Sequence, residues 1–175
     1  RSNLDDTVSN CGDKFATLRE AIVDIDHSPT ELVLTRQCAD VAKLIYHMRI
    51  NGDRIESGSL SRFDNNLRAA VEITLRGDLP DTSWLQATTG VTFGGLGFRS
   101  AESTALAAFI TSRITSRPLV CTMAQHYVDV TGEHFDKIMR AYDARTEDAL
   151  VTLVGSLSPD VGVDIVEKLA DAGDQ

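Results

Sequence analysis

No stretch of this chain reads as a membrane-spanning helix. Apolar runs fall short of the 18 or more residues that a span requires, and even Ser103 to Ser112 is dotted with hydroxyl side chains. A secretory leader is also missing, and the start at Arg1 rather than methionine is what a chain cut from something longer, or processed, would show. Cysteines number three, Cys11, Cys38 and Cys121, at spacings that fit no zinc pattern. Cys38 and Cys121 fall among apolar helix positions, so small buried thiols in a reducing compartment are expected. The four histidines, His27, His47, His126 and His134, form no pair at ligand spacing, and no metal site is expected. A Gly-x-Ser-x-Gly elbow, a His-Glu-x-x-His pair and a Walker lysine are all absent, so an enzyme reading has no anchor and no cofactor is expected.

Basic charge is scarce too. The net charge is −9, and it is unevenly spread. Residues 1–27 carry three basic and six acidic side chains, residues 28–130 ten and ten, and residues 131–175 four and ten. A protein whose main task is neutralising phosphates shows a basic face in such a count, so free-standing nucleic-acid binding is disfavoured. A local arginine stripe is still compatible with it.

What remains is an ordinary composition for a packed chain of 175 residues, 42% hydrophobic and 25% charged. That suffices for one domain or two closely packed helical halves. Residues 1–12 are polar, acidic and aperiodic, and read as a flexible lead-in. From Asp13 to Asp26 the spacing of Phe15, Leu18, Ile22 and Ile25 predicts an amphipathic helix. Ser28-Pro29-Thr30-Glu31 supplies an N-cap, a first-turn proline and a capping-box glutamate. The helix it opens is expected to run to about Ile50, with Leu34, Cys38, Val41, Ile45 and Met48 inward, until Asn51-Gly52 stops it. Its other face mixes Arg36, Lys43 and Arg49 with Glu31 and Asp40.

A third helix is expected from about Leu60 to Arg76, with Leu60, Phe63, Leu67, Val71 and Leu75 on one stripe and Gly77 as the stop. Asp64 and Arg68 stand four apart on it, a spacing that pairs opposite charges. Pro80-Asp81-Thr82 opens a short helix bearing Trp84, the sole tryptophan, which in a chain with 6% aromatics is expected to anchor the core. Ser100 caps a helix of small apolar residues, Ala105 to Ile114, which Arg117-Pro118 should break. Pro118 starts another through Met123, Tyr127 and Val130 to Gly132. Phe135, Ile138, Tyr142, Ala149 and Leu153 mark a long helix ended by Gly155. Ser158-Pro159 caps a last short helix with Val161, Ile165 and Leu169 before an acidic tail.

Between the helical halves lies Trp84 to Ser100, where three of twelve glycines, Gly94, Gly95 and Gly97, fall within four residues. Glycine allows positive φ and close backbone approach, and Val91, Phe93, Leu96 and Phe98 alternate as in an extended segment. A tight structural turn is expected. A phosphate cradle is the alternative, but Gly95-x-Gly97-x-x-Ser100 lacks the third glycine, and Arg117 stands where the acidic ribose ligand belongs.

The same stretch carries a resemblance. Trp84-x-Gln86-Ala87, Gly94-Gly95-Leu96-Gly97-Phe98-Arg99-Ser100-Ala101 and Arg117-Pro118-Leu119-Val120 resemble the region after the palm in reverse transcriptases of non-LTR, LINE-like retroelements. Leu34-x-Arg36-Gln37-Cys38-x-x-Val41-x-Lys43-Leu44-x-Tyr46 and Phe63-Asp64-x-x-Leu67-Arg68 are similar to the helical thumb of that family. The resemblance covers roughly residues 15–155, with Gly90 standing where the family usually has proline. It implies thumb-like helices over 13–77, the glycine-rich connection over 84–100 and a second helical half over 101–155; the C-terminal helix and acidic tail read above occupy 156–175.

The family's signature of two aspartates on a β-hairpin is missing, since Asp5-Asp6 follows Asn3-Leu4 with no strand pattern around it. The resemblance therefore implies a non-catalytic thumb that positions a template–primer duplex for a palm supplied elsewhere. Arg36, Lys43, Arg49 and Arg54, with Arg99 beside the glycine turn, would touch phosphates. The second expectation is a helical scaffold or interaction subunit of a larger protein assembly. On either expectation the fold is all-α, a bundle of about seven to eight helices with one short glycine-rich extended connection.

Overall fold

The computed structural model describes residues 3–131 and 134–157. It is 80% helical, with no strands among the described residues. Among the described residues seven α-helices follow in order: α1 (Asn3–Val23), α2 (Ser28–Cys38), α3 (Ile45–Asn51), α4 (Ser57–Leu75), α5 (Asp81–Thr88), α6 (Ala101–Thr131) and α7 (Phe135–Gly155). Two 3-10 turns, Val41–Lys43 and Val91–Phe93, interrupt them. The all-α class stands. Two compact units divide the chain, Arg1–Ala105 and Leu106–Gln175. The helix expected from Ser158-Pro159, and Gly132 as a stop, lie outside the described residues.

In the first unit α1, α2 and α4 pack on one another. Residues 3–12, expected to be an irregular lead-in, form the first turns of α1 instead. The buried face explains this, because Val8, Gly12, Arg19 and Ile22 are buried with Phe15 half-buried, a helical spacing that begins well before Asp13. Leu18 and Ile25, expected inward, are exposed. Leu67, Val71, Leu79, Ala87 and Phe98 form a core cluster, with Leu32 and Trp84 packed against it. Trp84 is half-buried and stacks on the fully buried Phe98 at 6.5 Å between ring centroids.

The single helix expected from Pro29 to Ile50 is broken. α2 stops at Cys38 and a 3-10 turn intervenes before α3. Asp40 causes the break, since its backbone is extended (ψ 177°) and its carboxylate accepts the N–H of Val41 at 2.6 Å, competing with helix continuation. Glu31 turns back to accept a hydrogen bond at 2.7 Å, from the His27 rather than the Ser28 backbone N–H, so the capping position falls one residue earlier. Gly52 stays right-handed (φ −57°), so it serves close approach and not chain reversal. A Cβ there would lie 2.2 Å from the carbonyl oxygen of Ala105. At the end of α4 it is Arg76, not Gly77, that takes the left-handed cap (φ 55°). Leu75 is exposed.

The second unit is an antiparallel pairing of α6 with α7. Phe109, Ile110 and Ala149 are buried at its centre, with Leu106, Ile114, Leu150 and Leu153 around them. Arg113 donates to Thr146 Oγ1 at 2.8 Å, and its guanidinium lies 3.6 Å from the Tyr142 ring centre. Pro118 does not break α6. It deletes one backbone donor, and contacts to α7 hold the helix on either side of it. Arg117 grips Asp143 through Nε and Nη2 at 2.9 and 2.8 Å, and Cys121 lies 4.0 Å from the Met139 sulfur. Met123 and Tyr127 face solvent, and all three cysteines are free and half-buried.

Candidate functional site

The chain from Thr89 to Ser100 is laid back over the end of α5 as a strap. Leu96 and Phe98 both donate to the Ala87 carbonyl, at 3.2 and 3.3 Å, and Gly97 donates to Thr89 at 3.0 Å. Each glycine has its own reason. Gly94 (φ 81°) and Gly97 (φ 75°) occupy the left-handed region. Gly95 is needed for space, because a Cβ would sit 2.2 Å from the Thr89 carbonyl oxygen. The expected extended alternation is not present: Val91–Phe93 forms a 3-10 turn that Gly94 reverses, leaving Val91 and Phe93 in solvent while Phe98 enters the core.

This geometry corrects the phosphate-cradle alternative. The Gly95 and Gly97 N–H groups are spent on the carbonyls of Gly90 and Thr89. The N-terminus of α6 is filled from within the protein. Asp64 of α4 accepts from Ala101 N at 2.7 Å, Glu102 N at 3.3 Å and Ser100 Oγ at 2.7 Å. Ser100 Oγ accepts from Ser103 N at 3.2 Å, and Thr104 N donates to the Ser100 carbonyl at the same distance. All four leading N–H groups are thus satisfied. Asp64 does not pair with Arg68, which instead meets Glu72 at 3.3 Å and Asp81 at 2.7 Å.

The five basic residues separate into two groups. Arg36 Nη1 donates to the Leu96 carbonyl at 3.3 Å, tying α2 to the strap. Arg99 Nε lies 3.7 Å from Asp40 Oδ2, and the Asp40 side chain is 0% exposed. Burial is the largest influence on Asp40 and raises its pKa, opposed by the Val41 N–H and by Arg99. Arg19, 4% exposed, is brought down to about 10 by burial against the attraction of Asp40, and it donates to the Ala39 carbonyl at 3.1 Å. Lys43, Arg49 and Arg54 are exposed, with Arg54 Nε 3.9 Å from Asp53. Since the helix breaks at Asp40, Arg36, Lys43 and Arg49 do not share one helix.

Large apolar side chains stand out on the turn among exposed Gln86, Thr89 and Thr92. Phe93 is 85% exposed, Leu85 69% and Val91 60%, with Leu96 beside them. Residues 82–98 hold no charged side chain, although one residue in four of the chain is charged. A cavity of about 240 Å³ opens alongside, with Leu75, Leu79, Ala87 and Leu96 among its lining and Ser83 and Gln86 as its polar members. No family model, curated protein or solved structure matches this chain.

The site's meaning therefore rests on its own geometry. Among the described residues no group of three or more His, Cys, Asp or Glu gathers as metal ligands, and no helix is long and apolar enough to cross a membrane. Sequence reading named the glycines and placed Phe93 in an extended alternation, but marked neither Leu85 nor Phe93 as turned outward. The signal that could have found them is the run of seventeen uncharged residues between Asp81 and Arg99.

Proposed function

We propose that this chain is a non-catalytic helical interaction subunit that docks another polypeptide through the apolar surface of the glycine turn. One observation carries the reading: a turn closed by its own backbone hydrogen bonds holds Phe93 85% exposed, with Leu85 and Val91 also exposed on the same uncharged stretch of chain. Exposing a large ring costs roughly 1.5–3 kcal/mol relative to burying it. Apolar surface beyond what a monomer ordinarily exposes marks an interaction site, and aromatic side chains are enriched in such interfaces. The test is retention of a partner from source cells by the wild-type chain and by Phe93→Asp. Equal retention by both would remove the turn from the interface.

A second reading, that the chain is a thumb-like region positioning duplex for a palm, draws support from two features. Lys43, Arg49 and Arg54 are exposed. Gly90, the departure from the resembled pattern, holds φ −61°, which is the proline value. Against it, Arg36 and Arg99 are engaged within the protein. Alanine at Arg36, Lys43 and Arg49 together should weaken duplex binding evenly across sequences and flatten its salt dependence. Unchanged affinity in that triple variant would end this reading.

A further inference from the structure

We infer that the cleft between α1 and α4 binds a free apolar α-amino acid, with its carboxylate at Arg19, its ammonium at Glu20 and Asp24, and its side chain along α4. This goes beyond the docking reading of the glycine turn and shares no residue with it. The cleft is a cavity of about 390 Å³, inside the roughly 300–1,000 Å³ usual for small-ligand pockets. Two helix faces wall it. Arg19, Glu20, Val23 and Asp24 recur at helical spacing on α1, and Asn66, Ala69 and Ile73 do the same on α4.

Arg19 sets the first requirement. It is 4% exposed, and its Nε has no hydrogen-bond acceptor among the described residues, while Nη2 is held by the Ala39 carbonyl. Burial brings it down only to about 10, so the guanidinium stays charged at neutral pH. Asp40 attracts it, but that carboxylate already takes the Val41 N–H and faces Arg99 at 3.7 Å. A buried cation in a cavity wall with a donor to spare calls for an anionic acceptor, and a carboxylate matches the guanidinium fork. Glu20 and Asp24 make the opposite demand. Both are exposed, stand four apart where like charges repel, and have no ion-pair partner among the described residues. An ammonium group answers them. A fatty acid or a phosphate would meet those two carboxylates, and a simple amine would meet Arg19, so a molecule carrying both charges is the one the wall does not repel. Val23, Ala69 and Ile73, the last 60% exposed, supply apolar surface for its side chain to cover.

Isothermal titration of the full chain with L-leucine tests this, beside N-acetyl-leucine, which lacks the ammonium, and leucinamide, which lacks the carboxylate. Leucine should bind with a Kd of about 0.01–1 mM, and each analogue at least about tenfold more weakly. The leucinamide comparison reads Arg19 without replacing a buried residue. Glu20→Gln with Asp24→Asn, both at exposed positions, should leave leucine and N-acetyl-leucine bound alike. Ala69→Trp, at an exposed position of α4, fills the cleft and should abolish binding while circular dichroism stays unchanged. A wild-type chain that takes up none of leucine, methionine or phenylalanine at about 10 mM overturns the inference. So does leucine binding that Ala69→Trp leaves intact. Equal affinity of the wild-type chain for leucine and either analogue overturns it as well, because one of the two charges would then have no partner in the wall.

Discussion

Asp64 should be among the costliest side chains to remove outside the apolar core, although it sits in mid-helix on α4. Its carboxylate reaches 37 residues along the chain to take the Ala101 N–H and also holds Glu102 N and Ser100 Oγ. Ala101 is fully buried, so water cannot replace the lost acceptor there, and an unsatisfied buried donor costs about 1–3 kcal/mol. Glu102 N is reachable by water, and losing its long bond adds little. Removing a negative charge from the start of a helix adds roughly 0.3–1 kcal/mol. Asp64→Ala is therefore expected to lose about 2–4 kcal/mol, and Asp64→Asn, which keeps one acceptor, about 1–2 kcal/mol. Urea unfolding followed through Trp84, whose ring stacks on Phe98 of the strap, reads both values. Ser100→Ala gives a further check, because Ser100 Oγ donates to the same carboxylate. The double variant should be non-additive by at least about 0.5 kcal/mol. If Asp64→Ala cost under about 0.5 kcal/mol, Asp64 would not be what caps α6.

Three other outcomes are expected. In the turn, Gly94→Ala meets open space and should cost only the left-handed backbone, about 1–2 kcal/mol, whereas Gly95→Ala drives a Cβ into the Thr89 carbonyl and should cost more than Gly94→Ala in the same unfolding assay. Gly90→Pro should stabilise by about 0.4–1 kcal/mol, because Gly90 already holds φ −61° and Thr89 before it is extended at ψ 155°. Finally, Asp40 has its folded pKa raised, so its protonation favours the folded state: that contribution is complete below the ordinary carboxylate value and is lost as pH rises through the folded value. Asp40→Asn removes this dependence, so its stability relative to wild type should fall as pH is lowered from 7 toward 4. A pH-independent difference would refute the assignment.

Helix content was legible because it depends on periodic burial, and Leu60, Phe63, Leu67 and Val71 bury at the spacing the sequence shows. Breaks were not, because they were decided by single groups acting across the fold. Asp40 reads as a solvent-side residue in mid-helix, yet it is buried and takes the next backbone N–H. Pro118 reads as a breaker, and tertiary contacts from Arg117 and Cys121 to α7 hold the helix through it. Gly52 and Gly77 both read as stops. α3 does end at Asn51 with Gly52 as its cap, although Gly52 stays right-handed and is also a point of close approach, whereas at the end of α4 the left-handed cap falls on Arg76 rather than Gly77. At the candidate site, three glycines announced a tight turn, but glycine count does not say which neighbouring side chains it turns outward.

The arginines show why a census of basic residues misleads here. A guanidinium presents five donors on a long stem, so it can bridge elements that a short side chain cannot. Arg36 binds a strap carbonyl, Arg68 ties α4 to the start of α5, Arg113 lies against Tyr142, and Arg117 grips Asp143. Each such bridge withdraws positive charge from the count available for phosphates while leaving the sequence equally basic. The central body balances ten basic against ten acidic side chains, and much of that balance is spent internally. Lys43, Arg49 and Arg54 remain exposed, but residues 82–98 carry no charge, so on the proposed reading apolar contact at Phe93, rather than charge, should govern what this chain binds.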